Sequence, residues 1–414
     1  CGAMVVALGV TSPASAQIEH DTVVSENAAD YTPSLVPVDG ARRPEASALA
    51  VSEDTVYVGG RFGAVNDNNG NRVDREDLFA LDRDTGELRS WAPQTNRRVW
   101  SLEVVGDSVY IGGQFQTVNG VRRTRLAKVD AVTGEVDQGF NARIRGGAVY
   151  EITYANGNLI ISGAFNQNLL ALDPETGADT GLIDLDIDGS YMNRQTKVED
   201  FAVNPQGTRL VATGDFKTVE GEAQGRVFMA NLNDTGATLS DWEYPYFENE
   251  CASQSGRWRS YVQDVDFSPD GSYFAIVSAG YVAPTGTIGY AVCDAVARFE
   301  TNNLSPTQPT WINYTGGDSL RSVAITGAAV YVQGHNRWLN NPLGRDSAGP
   351  GAVDARGGGA VDPDTGLALP WNPPHPMRIG GREIVAVDNG IWWGNDAVRW
   401  RGQQRRGLQF TPLP

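Results

Sequence analysis

Residues 109–135 read VYIGGQFQTVNGVRRTRLAKVDAVTGE. An apolar run enters paired glycines, Gly112 and Gly113, and ends at Phe115. A polar loop with Val118-Asn119-Gly120 comes next, then a second apolar run, Leu126-Ala127-Lys128-Val129-Asp130, and a Thr133-Gly134 turn. The phrase recurs upstream as VYVGGRF from Val56 with LFALDRDTGE from Leu78. It recurs downstream as LIISGAF from Leu159, LLALDPETG from Leu169 and LVATGDFKTVEG from Leu210. Recurrence at roughly 50 to 60 residues marks a repeat architecture, and four short strands per unit are those of a propeller blade.

Each unit opens with a strand: SALAV from Ser47, VWSLEVV from Val99, VYEITY from Val149, VEDFAV from Val198, VQDVDF from Val262, SVAIT from Ser322 and EIVAV from Glu383. Turn residues come after each, such as Gly106-Asp107, Asn156-Gly157 and Pro269-Asp270-Gly271, which supply the backbone angles of a tight hairpin. The reading is an all-β, seven-bladed β-propeller with four-stranded antiparallel blades. Fourth strands carry an aromatic (Trp91, Phe140, Trp242, Trp311, Trp371), the residue expected to pack between blades. The last unit stops one strand short after LQFTPL from Leu408, and an unpaired edge invites aggregation. Residues 35–38 are therefore expected to close the ring as the outer strand of the last blade, beside residues 408–413. Residues 17–30 are read as a flexible segment and residues 31–414 as one domain.

A chain of 414 residues exceeds the usual single core, but a propeller escapes that limit because each blade packs only on its neighbours. The 48 glycines and 21 prolines suit many short strands joined by turns. A formal charge of −17 excludes a basic nucleic-acid-binding stripe. The start, CGAMVVALGV then TSPASAQ, has the apolar run and small-residue cleavage site of a secretory signal, so residues 1–16 are read as its remnant. The rival reading makes Cys1 a lipid anchor. No other stretch is long enough to span a bilayer, so the chain is expected to be an exported monomer. In an oxidising compartment Cys251 and Cys293 form a disulfide candidate, with a thiolate nucleophile as the alternative.

The phrase from Val109, with Cys293-Asp294-Ala295-Val296-Ala297-Arg298-Phe299, the run Gly334-His335-Asn336-Arg337-Trp338 and the run Leu369-Pro370-Trp371-Asn372-Pro373, resembles an uncharacterised family of secreted, largely actinobacterial β-propellers built from delta-60-type repeats. The likeness covers nearly everything from Val51 onward and implies a secreted propeller, with no activity attached. The run Ala80-Leu81-Asp82-Arg83-Asp84-Thr85-Gly86 with Trp91, repeated from Ala171 and Val361, is similar to the blade motif of quinoprotein dehydrogenases, in which it stabilises blades. Its spacing to Trp91 is one residue longer than that pattern.

Loop lengths indicate the functional face. Connections within the Thr-Gly turns are tight, whereas second-to-third-strand and blade-to-blade loops are long, and long loops on a rigid scaffold carry function. There the richest polar-aromatic cluster is His335, Arg337, Trp338, Asn340 and Asn341, with Trp258 and Asp318 in loops of the same face. It is read either as a sugar or peptide site or as a polar network pinning the loop. Asp67, Asn69, Asn71 and Asp74 make an oxygen-rich loop, a solvated loop with Ca²⁺ binding as the alternative. No other metal site and no cofactor are expected. The overall expectation is a secreted, non-catalytic propeller binding an extracellular protein or cell-surface glycan through its long-loop face. The alternative is an extracellular enzyme, either a quinoprotein-like oxidoreductase or a hydrolase or lyase built on paired carboxylates in the channel.

Overall fold

The computed structural model describes residues 18–39, 43–191, 194–252, 260–378 and 380–414. Among them, beside two small three-stranded sheets built from two- and three-residue strands, seven larger sheets of three or four antiparallel strands succeed one another along the chain. Their first strands are Glu45–Val51, Val99–Val105, Gly146–Ala155, Lys197–Val203, Tyr261–Phe267, Leu320–Ile325 and Glu383–Val387. Each touches the first strand of the next sheet, and the last touches the first. The apolar residues of facing sheets pack into clusters that run from blade to blade, as where Val99 and Leu102 meet Ala48 and Tyr57.

The recurrent glycine has a steric cause. Six of the seven first strands carry a register shift near their start, where one residue bulges out of the ladder. The bulge pushes a first-strand carbonyl against the second strand. A Cβ at Gly60, Gly113, Gly163, Gly214 or Gly334 would collide with the carbonyl oxygen of Glu45, Arg98, Ala148, Lys197 or Ser319 respectively.

Two sheets are four-stranded, closing with Gly236–Leu239 and Trp311–Tyr314. In four others the expected fourth strand shrinks to one bridge: Leu81 to Leu88, Val129 to Val136, Leu172 to Asp179 and Val361 to Ala368. The chain then leaves the ladder where residues such as Pro93 and Pro373 offer no amide donor. The aromatic near this point packs on the next blade. A Cβ at Gly86 would meet Tyr31, one at Gly134 would meet Trp91, one at Gly177 would meet Phe140, and one at Gly366 would meet Trp311. The Asp before each of these turns but one is paired with its threonine in the same way: Asp82, Asp173 and Asp362 each accept both the amide and the hydroxyl of Thr85, Thr176 and Thr365.

The expected partner of the last strand is corrected. Residues 35–38 do not line it. Ser34–Val36 pairs instead with Ala64–Asn66 of the first blade, and Leu35 reaches back, its amide donating to Arg406 O at 3.0 Å and its side chain joining the core cluster of Leu408 and Phe410. The chain beside Leu408–Pro412 lies earlier, between Ser25 and Ala29. Ser25 N donates to Pro412 O and Ala29 N to Phe410 O, both at 2.7 Å. Four residues there span two on the partner, so no regular ladder forms. Tyr31 then occupies the place held by Trp91 in the next blade, and Ser34–Val36 is a blade-to-blade linker. Its counterparts Thr95 and Ile187–Asp188 pair with the hairpins of their own following blades. The described part of the segment read as flexible is packed: His20 and Val24 are buried, and the Val24 amide donates to Tyr331 Oη at 2.9 Å.

The long second-to-third connections fold into short hairpins, among them Thr117–Val118 with Val121–Arg122 and Trp338–Leu339 with Val353–Asp354. Cys251 and Cys293 form a disulfide with a Cα separation of 5.7 Å. It joins the loop leading into the fifth blade to that blade's second-to-third connection. Closing 42 residues of chain is worth on the order of 4 kcal/mol in the chain-entropy account. No described helix is long and apolar enough to cross a membrane.

If the glycine is kept for space, Gly214→Ala should cost about 1–3 kcal/mol, the range for forcing one extra carbon into a packed site. Urea denaturation checks it; an unchanged midpoint would mean the first strand can retreat.

Candidate functional site

A cavity of about 630 Å³ runs along the axis where the seven first strands meet. Its upper end, at the starts of those strands beneath the long loops, is lined by the residues that bulge: Ser47, Trp100, Tyr150, Glu199, Gln263 and Arg321. In the seventh blade Arg382 lines the same level. A bulge re-aims a side chain that strict alternation would send elsewhere. Here it turns one residue per blade into the channel.

This collar is a layered cation–aromatic cluster. The Arg98 guanidinium lies 3.8 Å from the Trp100 ring centre and that of Arg382 4.6 Å from it. Tyr150 meets Trp100 edge-on at 6.0 Å, and Lys197 sits 5.7 Å from the Tyr150 ring. Glu45 pairs with Arg98 and, at 3.2 Å, with Arg382; Glu199 pairs with Lys197. Arg321 is placed differently. Its Nη1 donates to the neutral Gln263 Oε1 at 3.0 Å, and its buried Nε has no partner. Among the described residues no carboxylate lies within salt-bridge distance of it.

Below the collar the channel is acidic. Glu151, Asp200, Asp264 and Glu383 hold one level, with Glu103 and Asp266 beneath them. Each first strand is the inner edge of its sheet, so its outward amides need acceptors. The neighbouring blade supplies them. Glu103 accepts from Tyr154 N at 2.9 Å, Asp200 from Val265 N at 3.0 Å, Asp264 from Val323 N at 2.8 Å and Asp266 from Ile325 N at 2.7 Å. Between the second and third blades a hydroxyl serves: Ser101 Oγ accepts from Ile152 N at 3.0 Å and donates to Glu151 Oε1 at 3.2 Å.

These acidic residues are only partly buried, but the enclosing strands disfavour their charged forms. Burial lifts Glu103 to about 7, against the amide of Tyr154. Burial also lifts Asp200 to about 6, opposed by its hydrogen bond with Asp264. Asp264, Glu151 and Glu383 are raised well above the carboxylate range, first by burial and then by neighbouring acids. Raised proton affinity on both carboxyls favours a proton held between Asp264 and Asp200.

The residues singled out in the long loops lie elsewhere, and their polar atoms are engaged by the chain itself. Arg337 Nε and Nη2 grip the buried Asp318 carboxylate at 2.8 Å each, and Nη2 also reaches Asp346 at 3.2 Å. Its guanidinium covers the half-buried Trp338 ring at 4.4 Å. Asn341 is fully buried, donating to Thr315 O and Ser347 O and accepting from Gly349 N. Asn340 accepts from Asn313 Nδ2 and Ala368 N, and the His335 amide donates to Ser319 O. Trp258 lies outside the described residues. In the oxygen-rich loop the Asp67 carboxylate accepts the amides of Asn69 and Asn71, at 2.9 and 2.8 Å, and Asp74 lies 3.7 Å from Arg72. Among the described residues no three His, Cys, Asp or Glu side chains are grouped to hold a metal.

Sequence reading missed Trp100, Arg321 and Arg382. A signal was present: aligned on the second-strand glycine, the first strands read Trp100-Ser101-x-Glu103, Tyr150-Glu151-x-Thr153, Glu199-Asp200 and Gln263-Asp264-x-Asp266. Consecutive polar residues mark a bulge in what should alternate.

No protein-family model and no curated protein matches this chain. Solved structures do. The WD40 repeats of RRP9 superpose with a TM-score of 0.54 at 8% identity, over 94% of this chain and 99% of that one. U3-55K gives 0.53 at 9% over 94% and 100%, and the WD40 β-propeller domain of Doa1 0.51 at 10% over 92% and 97%. The chain has a β-propeller fold.

Arg337→Lys cannot keep both oxygens of buried Asp318 and should cost about 1.5–3 kcal/mol in chemical denaturation; equal stability would show that the clamp is not needed. Glu103, held near 7, keeps a proton that the unfolded chain, near 4.5, has released. The folded state binds more protons across that window, so stability falls as pH rises through it. Glu103→Gln should flatten this part of the stability–pH curve. A curve parallel to the parent's would sink the assignment.

Proposed function

We propose that this chain is a secreted, seven-bladed, non-catalytic β-propeller that binds an extracellular glycan at the channel mouth on its long-loop face. The observation that carries the reading is the collar: a bulged side chain from each of six blades and Arg382 from the seventh, mixing rings, cations and amides, above a cavity of about 630 Å³. That volume suits a small polar ligand or the end of a chain, whereas a protein partner needs a broad complementary surface of roughly 800 Å². Export is supported by the Cys251–Cys293 disulfide and by the signal-like first residues. The delta-60 and quinoprotein-like resemblances stay within this proposal. So does closure of the ring by residues 25–36. The long-loop cluster around Arg337 is proposed to hold the face in shape.

A second reading rests on the hydrogen-bonded Asp200 and Asp264, an inward carboxyl pair with raised proton affinity, as a hydrolase or lyase requires. The binding reading is preferred because Asp200, Asp264, Asp266 and Glu103 each already cap an amide of the next blade. Glycan-array binding by the parent and by Tyr150→Ala, followed by chromatography of the bound oligosaccharide, separates the readings. Retention of an intact glycan that Tyr150→Ala loses supports binding. Shortened products that vanish in Asp264→Asn establish the enzyme instead.

A further inference from the structure

The chain carries a large negative charge, yet its channel mouth gathers four cations, Arg98, Lys197, Arg321 and Arg382, against two acids, Glu45 and Glu199. Three of the four are matched. Arg98 and Arg382 share Glu45, and Lys197 takes Glu199. Arg321 has one neutral partner, Gln263; its buried Nε has none, as is true of Arg98 Nε, but Arg98 has a counter-ion in Glu45 whereas Arg321 has no carboxylate within salt-bridge distance among the described residues. Its stem packs beside Gly380, two residues before Arg382. A guanidinium held half-buried next to a second one, with donors unspent, costs stability unless an anion completes it. Burial and then Arg382 lower the proton affinity of Arg321, opposed by the more distant Glu199 and Glu45.

We infer that Arg321, with Arg382, is the subsite for the carboxylate of an acidic sugar, a uronic-acid-type unit whose hydroxyls reach down to the channel acids. This rests on the reading of the mouth as a glycan site and names the class of glycan. A planar carboxylate fits the paired donors of a guanidinium. A single negative charge also suits what lies below. Burial raises the proton affinity of Glu151 and Glu383, and a carboxyl in its protonated form can donate to a hydroxyl. A dianionic phosphate would meet stronger repulsion from any acid that ionises. The ligand's carboxylate would stand where Gln263 alone now faces Arg321.

The test is calorimetric titration of the full chain at low ionic strength with sodium glucuronate, glucose, acetate and glucose 6-phosphate. Glucuronate is expected to bind one to one, with glucose and acetate each weaker by on the order of tenfold or more, the scale of one lost charge-assisted hydrogen bond. Arg321→Gln should lose glucuronate by a similar factor while its melting temperature stays level or rises, because an unmatched buried cation has gone. A merely structural Arg321 would lower the melting temperature. The inference is overturned if Arg321→Gln binds glucuronate as the parent does, if acetate binds equally well, or if glucose 6-phosphate binds more tightly. On the array, a neutral glycan bound through Tyr150 but indifferent to Arg321→Gln would leave the mouth as a glycan site and remove only its acidic class. If no glycan bound at all, the wider reading would fall.

Discussion

The contact between a bulged first strand and a second-strand glycine sets the geometry of nearly everything else. Where the carbonyls of Glu45, Arg98, Ala148, Lys197 and Ser319 press on the second strand, only a hydrogen fits. That closeness allows one residue per blade to leave the ladder and turn inward. The collar around the channel is the sum of these displacements. A larger residue at the glycine would push the first strand back and withdraw a side chain from the mouth, so packing and function are joined at one atom.

The channel acids show how one residue set can serve structure and chemistry together. An inner edge strand exposes amides, and a radial array has seven such edges facing one another. Carboxylates cap some of them at three of the blade junctions, which ties those sheets together by hydrogen bonds as well as apolar contact. Burial among the strands, and then the neighbouring acids, raise the proton affinity of Glu151, Asp264 and Glu383, and neutral carboxyls are the form that can donate to a polar ligand. At the mouth Arg321 has a neutral partner, Gln263.

The outer rim obeys different rules. Turn aspartates close Thr-Gly hairpins, and fourth-strand aromatics rest on the next blade's turn glycine. The aromatic fills the gap between sheets whether the fourth ladder is full, as at Trp311, or reduced to one bridge, as in four sheets. The N-terminal segment fits this pattern too, with Tyr31 seated on Gly86 as Trp91 is on Gly134. The closure expected from residues 35–38 was misplaced for that reason: Tyr31 is the repeat's aromatic, and the residues after it are already linker.

By itself the sequence determined the repeat, the strand content, the turns and the cysteine pair, because glycine, turn dipeptides and aromatics act locally and recur at fixed offsets. It also marked the long-loop face, though the cluster around Arg337 found there is bonded to its own chain. Tertiary structure decided the site. Trp100, Tyr150, Gln263, Arg321 and Arg382 come from five blades, and no local pattern states that they meet. Whether a polar residue in a short strand faces the channel or the next sheet depends on a one-residue bulge, which breaks the period of two. Whether an arginine finds its counter-charge depends on a distant part of the chain, as Arg382 does with Glu45, 337 residues away. Packing of successive blades brings such residues together, and only the folded chain reveals which cation lacks a carboxylate partner.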